Sequence, residues 1–179
     1  METIIIGAGP GGLAVGACLQ RAGMPFLILE QAATVGATWH GHYDRLHLHT
    51  PKSLSALPYL AFPKDYPRYP SRLQVIAYLE QYADHFALSP RFGQRVVAAR
   101  PAAGGWEVQT QDTRLAAADL VVATGFAHVP YYPQWPGQAD FQGSCLHSSA
   151  YRSGESFSQR RVLVVGFGNS GGEIALDLC

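Results

Sequence analysis

The sequence predicts an α/β protein built in three layers, carrying a small antiparallel β insertion and running at its end into a second α/β unit. Three observations predict this. A short apolar run, a glycine turn and a helical stretch open the chain, and the same succession recurs near its end. A second apolar run follows the first helix within about thirty residues, the spacing of a parallel β-α-β unit. Between about residues 94 and 118, short strand-like segments are split by turn residues, the pattern of a meander.

Taken in order, Thr3 to Ile6 read as the first strand, and residues from about Gly11 to Ala22 as the first helix. Phe26-Leu27-Ile28-Leu29 form the second strand, which ends at Glu30. Residues 31–70 are rich in His, Pro and Tyr with little periodicity; a loop that long is usually functional. Ser71 and Gln74 give a capping-box start to a helix with Val75, Ile76, Leu79, Tyr82, Ala83 and Phe86 on one stripe. The meander comprises Arg95–Arg100, Trp106–Thr110 and Arg114–Ala118. The unbroken apolar runs Asp119–Ala123 and Arg161–Val165 predict two buried strands, separated by a Pro- and Tyr-rich connection over residues 128–137.

Composition narrows the function. The chain has 179 residues, 47% of them hydrophobic and 15% charged, which fits a globular protein rather than a disordered one. Thirteen Lys and Arg balance thirteen Asp and Glu, so no net field draws it to nucleic acid or anionic lipid. Cys18, Cys145 and Cys179 form no C-x-x-C pair, which argues against a dithiol redox centre or a cysteine zinc site. No basic n-region followed by an apolar h-region stands at the first residues, and no apolar run approaches the ~18 residues of a membrane span. The expectation is a cytoplasmic protein without a nucleic-acid partner.

Gly7-Ala8-Gly9-Pro10-Gly11-Gly12 is G-x-G-x-x-G between a strand and a helix. Gly7 permits the turn, Gly9 lets backbone approach a pyrophosphate, and Gly12 lets helix and strand pack closely. The helix N-terminus offers free N–H groups and a positive dipole end to phosphates. Glu30, 18 residues after Gly12, is placed to accept ribose hydroxyls and to repel a 2′-phosphate, so this site favours FAD or NAD over NADP. The same spacing recurs at Gly166-Phe167-Gly168-Asn169-Ser170-Gly171, about 160 positions later. Two fingerprints predict two dinucleotides. The residue that would read the 2′ position lies about 20 residues past a fingerprint, beyond Cys179, so the second site leaves NADPH and NADH both open.

At this point the sequence resembles the flavin-containing monooxygenases. Phe141-Gln142-Gly143-Ser144-Cys145-Leu146-His147-Ser148-Ser149-Ala150-Tyr151-Arg152 fits that family's F-x-G-x-x-x-H-x-x-x-Y-[KR] identifier at every fixed position. Gly36-Ala37-Thr38-Trp39, with Tyr43, Leu46 and Leu48-His49-Thr50-Pro51-Lys52, is similar to the flavin-proximal loop of the plant auxin-forming branch and related bacterial proteins. Ala123-Thr124-Gly125-Phe126 is similar to the family's A-T-G segment beside the dinucleotides.

The resemblance implies a Rossmann-like FAD domain over 1–154, with the meander inserted, and a truncated NAD(P)H domain opening over 155–179, the N-terminal fragment of a longer enzyme. It implies FAD contacts at Gly7, Gly9, Gly11, Gly12, Glu30, Trp39, Thr124 and Gly125, with the backbone of Val96 meeting the adenine. It implies NADPH contacts at Gly166, Gly168, Asn169, Ser170 and Gly171, with Phe141, Gly143, His147 and Tyr151 of the identifier near the cofactor cleft. His49 stands where other members place an Asn beside the flavin; it reads as a hydrogen-bonding group at the flavin edge or as a solvated loop histidine. The implied activity is an NAD(P)H-consuming monooxygenase acting through a C4a-peroxyflavin, with O2, on a small organic nucleophile or a keto acid. Two alternatives stay open: a flavin reductase without oxygen insertion, and an inactive FAD-binding fragment. His40, His42, His47 and His49 fall within ten residues, but the aromatic loop already accounts for them, and no metal is expected.

Overall fold

The computed structural model describes residues 2–126 and 129–179. The regular elements are β1 (Thr3–Ile6), α1 (Pro10–Arg21), β2 (Phe26–Leu29), α2 (Ala37–His40), α3 (Lys52–Ser55), α4 (Arg72–His85), β3 (Val96–Ala102), β4 (Gly105–Thr110), β5 (Arg114–Ala117), β6 (Asp119–Val122) and α5 (Asn169–Asp177). Residue 128 of the expected 128–137 connection lies outside the described residues; 129–137 carry no regular element.

The parallel sheet has the order β2-β1-β6, with Thr3 level with Phe26 on one side and Asp119 on the other. Side chains alternate across a strand, and β1 uses both faces: Ile5 enters a core with Leu13, Ala17, Ile28, Leu79 and Tyr82, while Ile4 joins Leu27, Leu29, Val108 and Ala117. The first face is covered by α1 and α4. The second is covered by the antiparallel sheet β3-β4-β5. These are the three expected layers, with the expected insertion as the third.

Local chemistry sets the element ends. Pro10 sits at the start of α1, where its missing N–H costs nothing. Gly23, at φ 67°, stops the helix. Ser71 and Gln74 form the full capping box of α4, each side chain meeting the other's backbone. Helix α4 buries a wider face than the expected stripe, because Tyr78 is buried too, stacked on Phe62 at 3.8 Å. Its hydroxyl accepts from Leu57 N and donates to Leu60 O, both at 2.7 Å, so the ring is buried without a stranded polar atom. Burying each such side chain contributes about 1.5–3 kcal/mol.

Two strand expectations are corrected. Residues 119–122 do form a strand, but at the sheet edge, and Val122 is 66% exposed. Residues 161–165 form no strand; Leu163 is 86% exposed. An apolar run becomes a strand only where another strand meets its N–H and C=O groups, and among the described residues none lies beside it.

Candidate functional site: two matched glycine turns

In the first turn, Gly7 adopts φ 106°, and a Cβ there would stand 2.5 Å from Ala123 O. Both the conformation and the space exclude a side chain. A Cβ on Gly12 would lie 1.9 Å from Gly7 O, so the helix rests directly on the turn, as the spacing predicted. Gly9 caps α1, and a Cβ on it would meet nothing within 4 Å; the room above the helix start is open. The amides of Gly11 and Gly12 have no intrahelical acceptor and point toward that room. Glu30 is 8% exposed; its Oε2 accepts from Ala8 N at 2.7 Å and its Oε1 from Ala32 N at 2.8 Å. The carboxylate therefore braces the turn, and each oxygen keeps a lone pair for a further donor. Gln94 N donates to Glu30 O at 2.8 Å, which carries Val96 to the same end of the sheet. Ala123 N donates to Ile6 O at 2.9 Å, so exposed Thr124 and Gly125 (φ 75°) emerge beside Gly7.

The second turn repeats this backbone. Gly166 has φ 104°, and a Cβ on Gly171 would lie 2.3 Å from Gly166 O. Gly168 caps α5 at φ −81°, ψ −174°, against φ −79°, ψ −175° for Gly9. A Cβ on Gly168 also meets nothing within 4 Å. Asn169 and Ser170 open α5. Both turns thus fit a dinucleotide pyrophosphate: a left-handed glycine, open room and a fresh helix start.

The aromatic loop joins the turns. Gly36 N donates to Ala8 O at 2.9 Å, seating α2 and Trp39 against the first turn. Gly36 is left-handed, and a Cβ would press on Leu79 Cδ1 at 2.8 Å. Tyr43 and Leu46 pack with Tyr151 and Ile174 of α5. His49 Nε2 lies 3.3 Å from Glu173 Oε1 on α5. Burial, and then the Glu173 charge, push the Tyr43 hydroxyl up to about 12. Burial and the charges of Arg152 and Arg72 lower His42, which favours its neutral form. The four histidines diverge: His40 faces Glu80 at 3.8 Å, His42 lies edge-on to Trp39 and Tyr43, His47 bonds the Arg45 carbonyl, and His49 meets Glu173. Among the described residues, no group of three or more side chains could hold a metal ion.

The identifier segment is a brace. Tyr151 is 4% exposed and donates to Asp177 Oδ2 at 2.6 Å, which also accepts from Gly154 N at 3.0 Å. Arg152 reaches the Gly41 carbonyl, and its own carbonyl accepts from Asp44 N at 2.9 Å. His147 Nδ1 accepts from Ser149 N at 3.1 Å, capping a short turn. Gly143 leaves room for the Phe141 ring, which a Cβ would meet at 2.5 Å. Tyr151 and Arg152 thus fasten the aromatic loop to α5, whereas Phe141 stays exposed. Asp177 carried no signal in the sequence, because nothing in its spacing marks it as the partner of Tyr151. The Glu173–His49 contact was equally invisible, since it joins positions 124 residues apart.

Comparisons with known proteins agree with this geometry. A family model described as pyridine nucleotide-disulphide oxidoreductase matches residues 4–179. The probable indole-3-pyruvate monooxygenase YUCCA1 of Arabidopsis thaliana is 50% identical over 180 residues, covering 98% of this chain and 44% of its own length. The indole-3-pyruvate monooxygenase YUCCA1 of Oryza sativa subsp. japonica is 48% identical over the same shares. The solved flavin-containing monooxygenase from Stenotrophomonas maltophilia superposes with a TM-score of 0.88 at 32% identity, over 98% of this chain and 55% of that one. The chain spans about half the length of the relatives it matches. It belongs to the pyridine nucleotide-disulphide oxidoreductase family.

Proposed function

We propose that the protein is a FAD-dependent, NADPH-consuming monooxygenase, with residues 1–154 holding FAD and residues 155–179 opening the NADPH unit. The observation that carries this reading is the pair of matched glycine turns joined through one aromatic loop. Bound flavin supplies the redox chemistry, accepting hydride from NADPH and activating O2. The chain's own residues bind and orient. The amides of Gly11 and Gly12, with the positive end of α1, hold the FAD pyrophosphate above Gly7 and Gly9. Glu30 accepts ribose hydroxyls with its remaining lone pairs. Val96 offers backbone to the adenine, while Trp39, Thr124 and Gly125 line the flavin side. Gly166, Gly168, Asn169, Ser170 and Gly171 do the same for NADPH. Trp39, Tyr43 and Leu46 exclude water from the reacting edge, and His49 presents a hydrogen-bonding group there.

Of the two substrate classes, the keto acid is favoured. The relatives nearly half identical to this chain are named for indole-3-pyruvate, and such a substrate loses CO2 on oxygenation. The test uses protein made from the complete gene. It is reduced by NADPH without oxygen, then mixed rapidly with O2, with and without indole-3-pyruvate, while the flavin spectrum is followed. A lasting flavin–oxygen adduct that the keto acid discharges is expected. Immediate reoxidation with peroxide release would instead make the protein a reductase.

A further inference from the structure

Among the described residues, three buried side-chain polar atoms have no hydrogen-bond partner, Tyr43 Oη, Glu173 Oε2 and Arg72 Nε, and the first two lie beside the glycine turns. Tyr43 is only 3% exposed, so water does not serve its hydroxyl. Tyr43 and Glu173 belong to one cluster: Tyr43 packs with Ile174, the residue next to Glu173 on α5, and burial, then the Glu173 charge, holds the Tyr43 proton on. The carboxylate's other oxygen faces His49 Nε2 at 3.3 Å. The terminal nitrogens of the nearby arginines are engaged elsewhere, Arg72 Nη2 with Asp44 at 2.8 Å and Arg152 with the Gly41 carbonyl, while Arg72 Nε stays unpaired. Leaving a buried carboxylate oxygen and a phenol unpaired carries the desolvation cost of both, whereas pairing them satisfies both.

We infer that Glu173 is a positioning residue for His49: one carboxylate oxygen accepts from His49 Nε2, the other accepts from the Tyr43 hydroxyl, and α5 thereby holds the imidazole in one orientation and one tautomer. An ionised carboxylate can only accept. His49 must therefore carry its proton on Nε2, and Nδ1 is turned away from Glu173 as an acceptor. A carboxylate bonded to the far ring nitrogen fixes the tautomer of many functional histidines in this way. The link also runs from the flavin-side loop into the first turns of the helix that opens the second glycine turn. Substrate-side chemistry at His49 is then registered against the NADPH helix by a single side chain. This rests on the reading above that His49 lies at the flavin edge.

The test uses FAD-loaded protein from the complete gene, with 15N-labelled histidine. The His49 resonances are assigned by their loss in His49→Gln. Wild type and Glu173→Gln, whose amide oxygen still accepts, are expected to show the Nε2–H tautomer; Glu173→Ala is expected to show exchange between tautomers. In turnover, Glu173→Ala should lower kcat about tenfold or more, with KM for NADPH within about threefold, and Glu173→Gln should restore most of it. If Glu173→Ala folds poorly, Tyr43→Phe keeps the ring, removes the donor and should shift the same balance partway. An unchanged tautomer in Glu173→Ala, or a raised KM alone, would overturn the inference. A tautomer that follows Glu173 while His49→Gln turns over normally would uphold the positioning and sink only the placement of His49 at the flavin.

Discussion

Replacing Gly12 by alanine tests whether the first turn binds through its backbone. The new Cβ would start 1.9 Å from Gly7 O, where contacts under 3.0 Å are essentially never found. The start of α1 must retreat by about 1 Å, since both atoms in conflict belong to the backbone or are fixed to it. Overpacking of this kind costs about 1–3 kcal/mol. The better helix propensity of alanine returns about 1 kcal/mol. The apoprotein should therefore melt only a few degrees lower, at about 2–4 °C per kcal/mol for a chain of this size. FAD should suffer more, because an amide shifted by about 1 Å leaves hydrogen-bond range of the pyrophosphate. Each charge-assisted bond contributes about 1.5–3 kcal/mol, so losing one or two weakens binding by at least about tenfold. The assay is titration of apoprotein with FAD, read by flavin fluorescence, alongside a thermal melt. Gly9→Ala is the control: its Cβ meets no protein atom within 4 Å, so it should melt like wild type yet bind FAD poorly. FAD affinity unchanged in Gly12→Ala would refute the reasoning, and so would full affinity in Gly9→Ala.

Gly171→Ala should mirror that pattern on the other dinucleotide, weakening NADP+ binding by about tenfold or more while the flavin titration stays within error; a matching loss of FAD would sink the division into two sites. Glu30→Ala strands the amides of Ala8 and Ala32, so the apoprotein itself should lose about 2 kcal/mol or more in urea unfolding, whereas Glu30→Gln, which keeps one acceptor, should lose less. Tyr43 and Tyr82 are both raised to about 12 by burial first. Their neutral forms are the folded ones, so their stability is fully present below pH 10 and is lost as pH rises from 10 toward 12. Denaturant midpoints measured from pH 9 to 12 should fall over that window, and Tyr43→Phe should flatten the fall.

How much the sequence disclosed depended on whether the cause was local. The turn at Gly7–Gly12 was legible because three glycines at fixed spacing answer to backbone sterics alone, and Gly12 against Gly7 O is that steric demand realised. The capping box at Ser71 and Gln74 was legible for the same reason. Phe26–Leu29 was bounded correctly by its own apolar run. Tyr78 was missed because its burial is set by Phe62 and by the Leu57 amide and Leu60 carbonyl of one irregular loop, none of them periodic with α4. Residues 161–165 form no strand despite their apolar β-branched run, because such a run states a preference, while a ladder requires a neighbour. The Glu173–His49 contact and the role of Asp177 lay beyond reach, since each is a contact across more than a hundred residues or across an irregular segment.

The two turns share a backbone but not their side chains: Ala8 and Pro10 in one correspond to Phe167 and Asn169 in the other. Recognition carried by main-chain amides leaves those intervening positions free to drift without disturbing the cradle. The substitutions are not neutral in donor count, however. Pro10 brings no N–H to the head of its helix, whereas Asn169 brings one, together with a side-chain amide. The later turn thus offers a richer set of donors from an identical scaffold. Swapping the three variable positions between the cassettes, Ala8, Pro10 and Gly11 for Phe167, Asn169 and Ser170, would retune ligand preference while leaving the architecture intact.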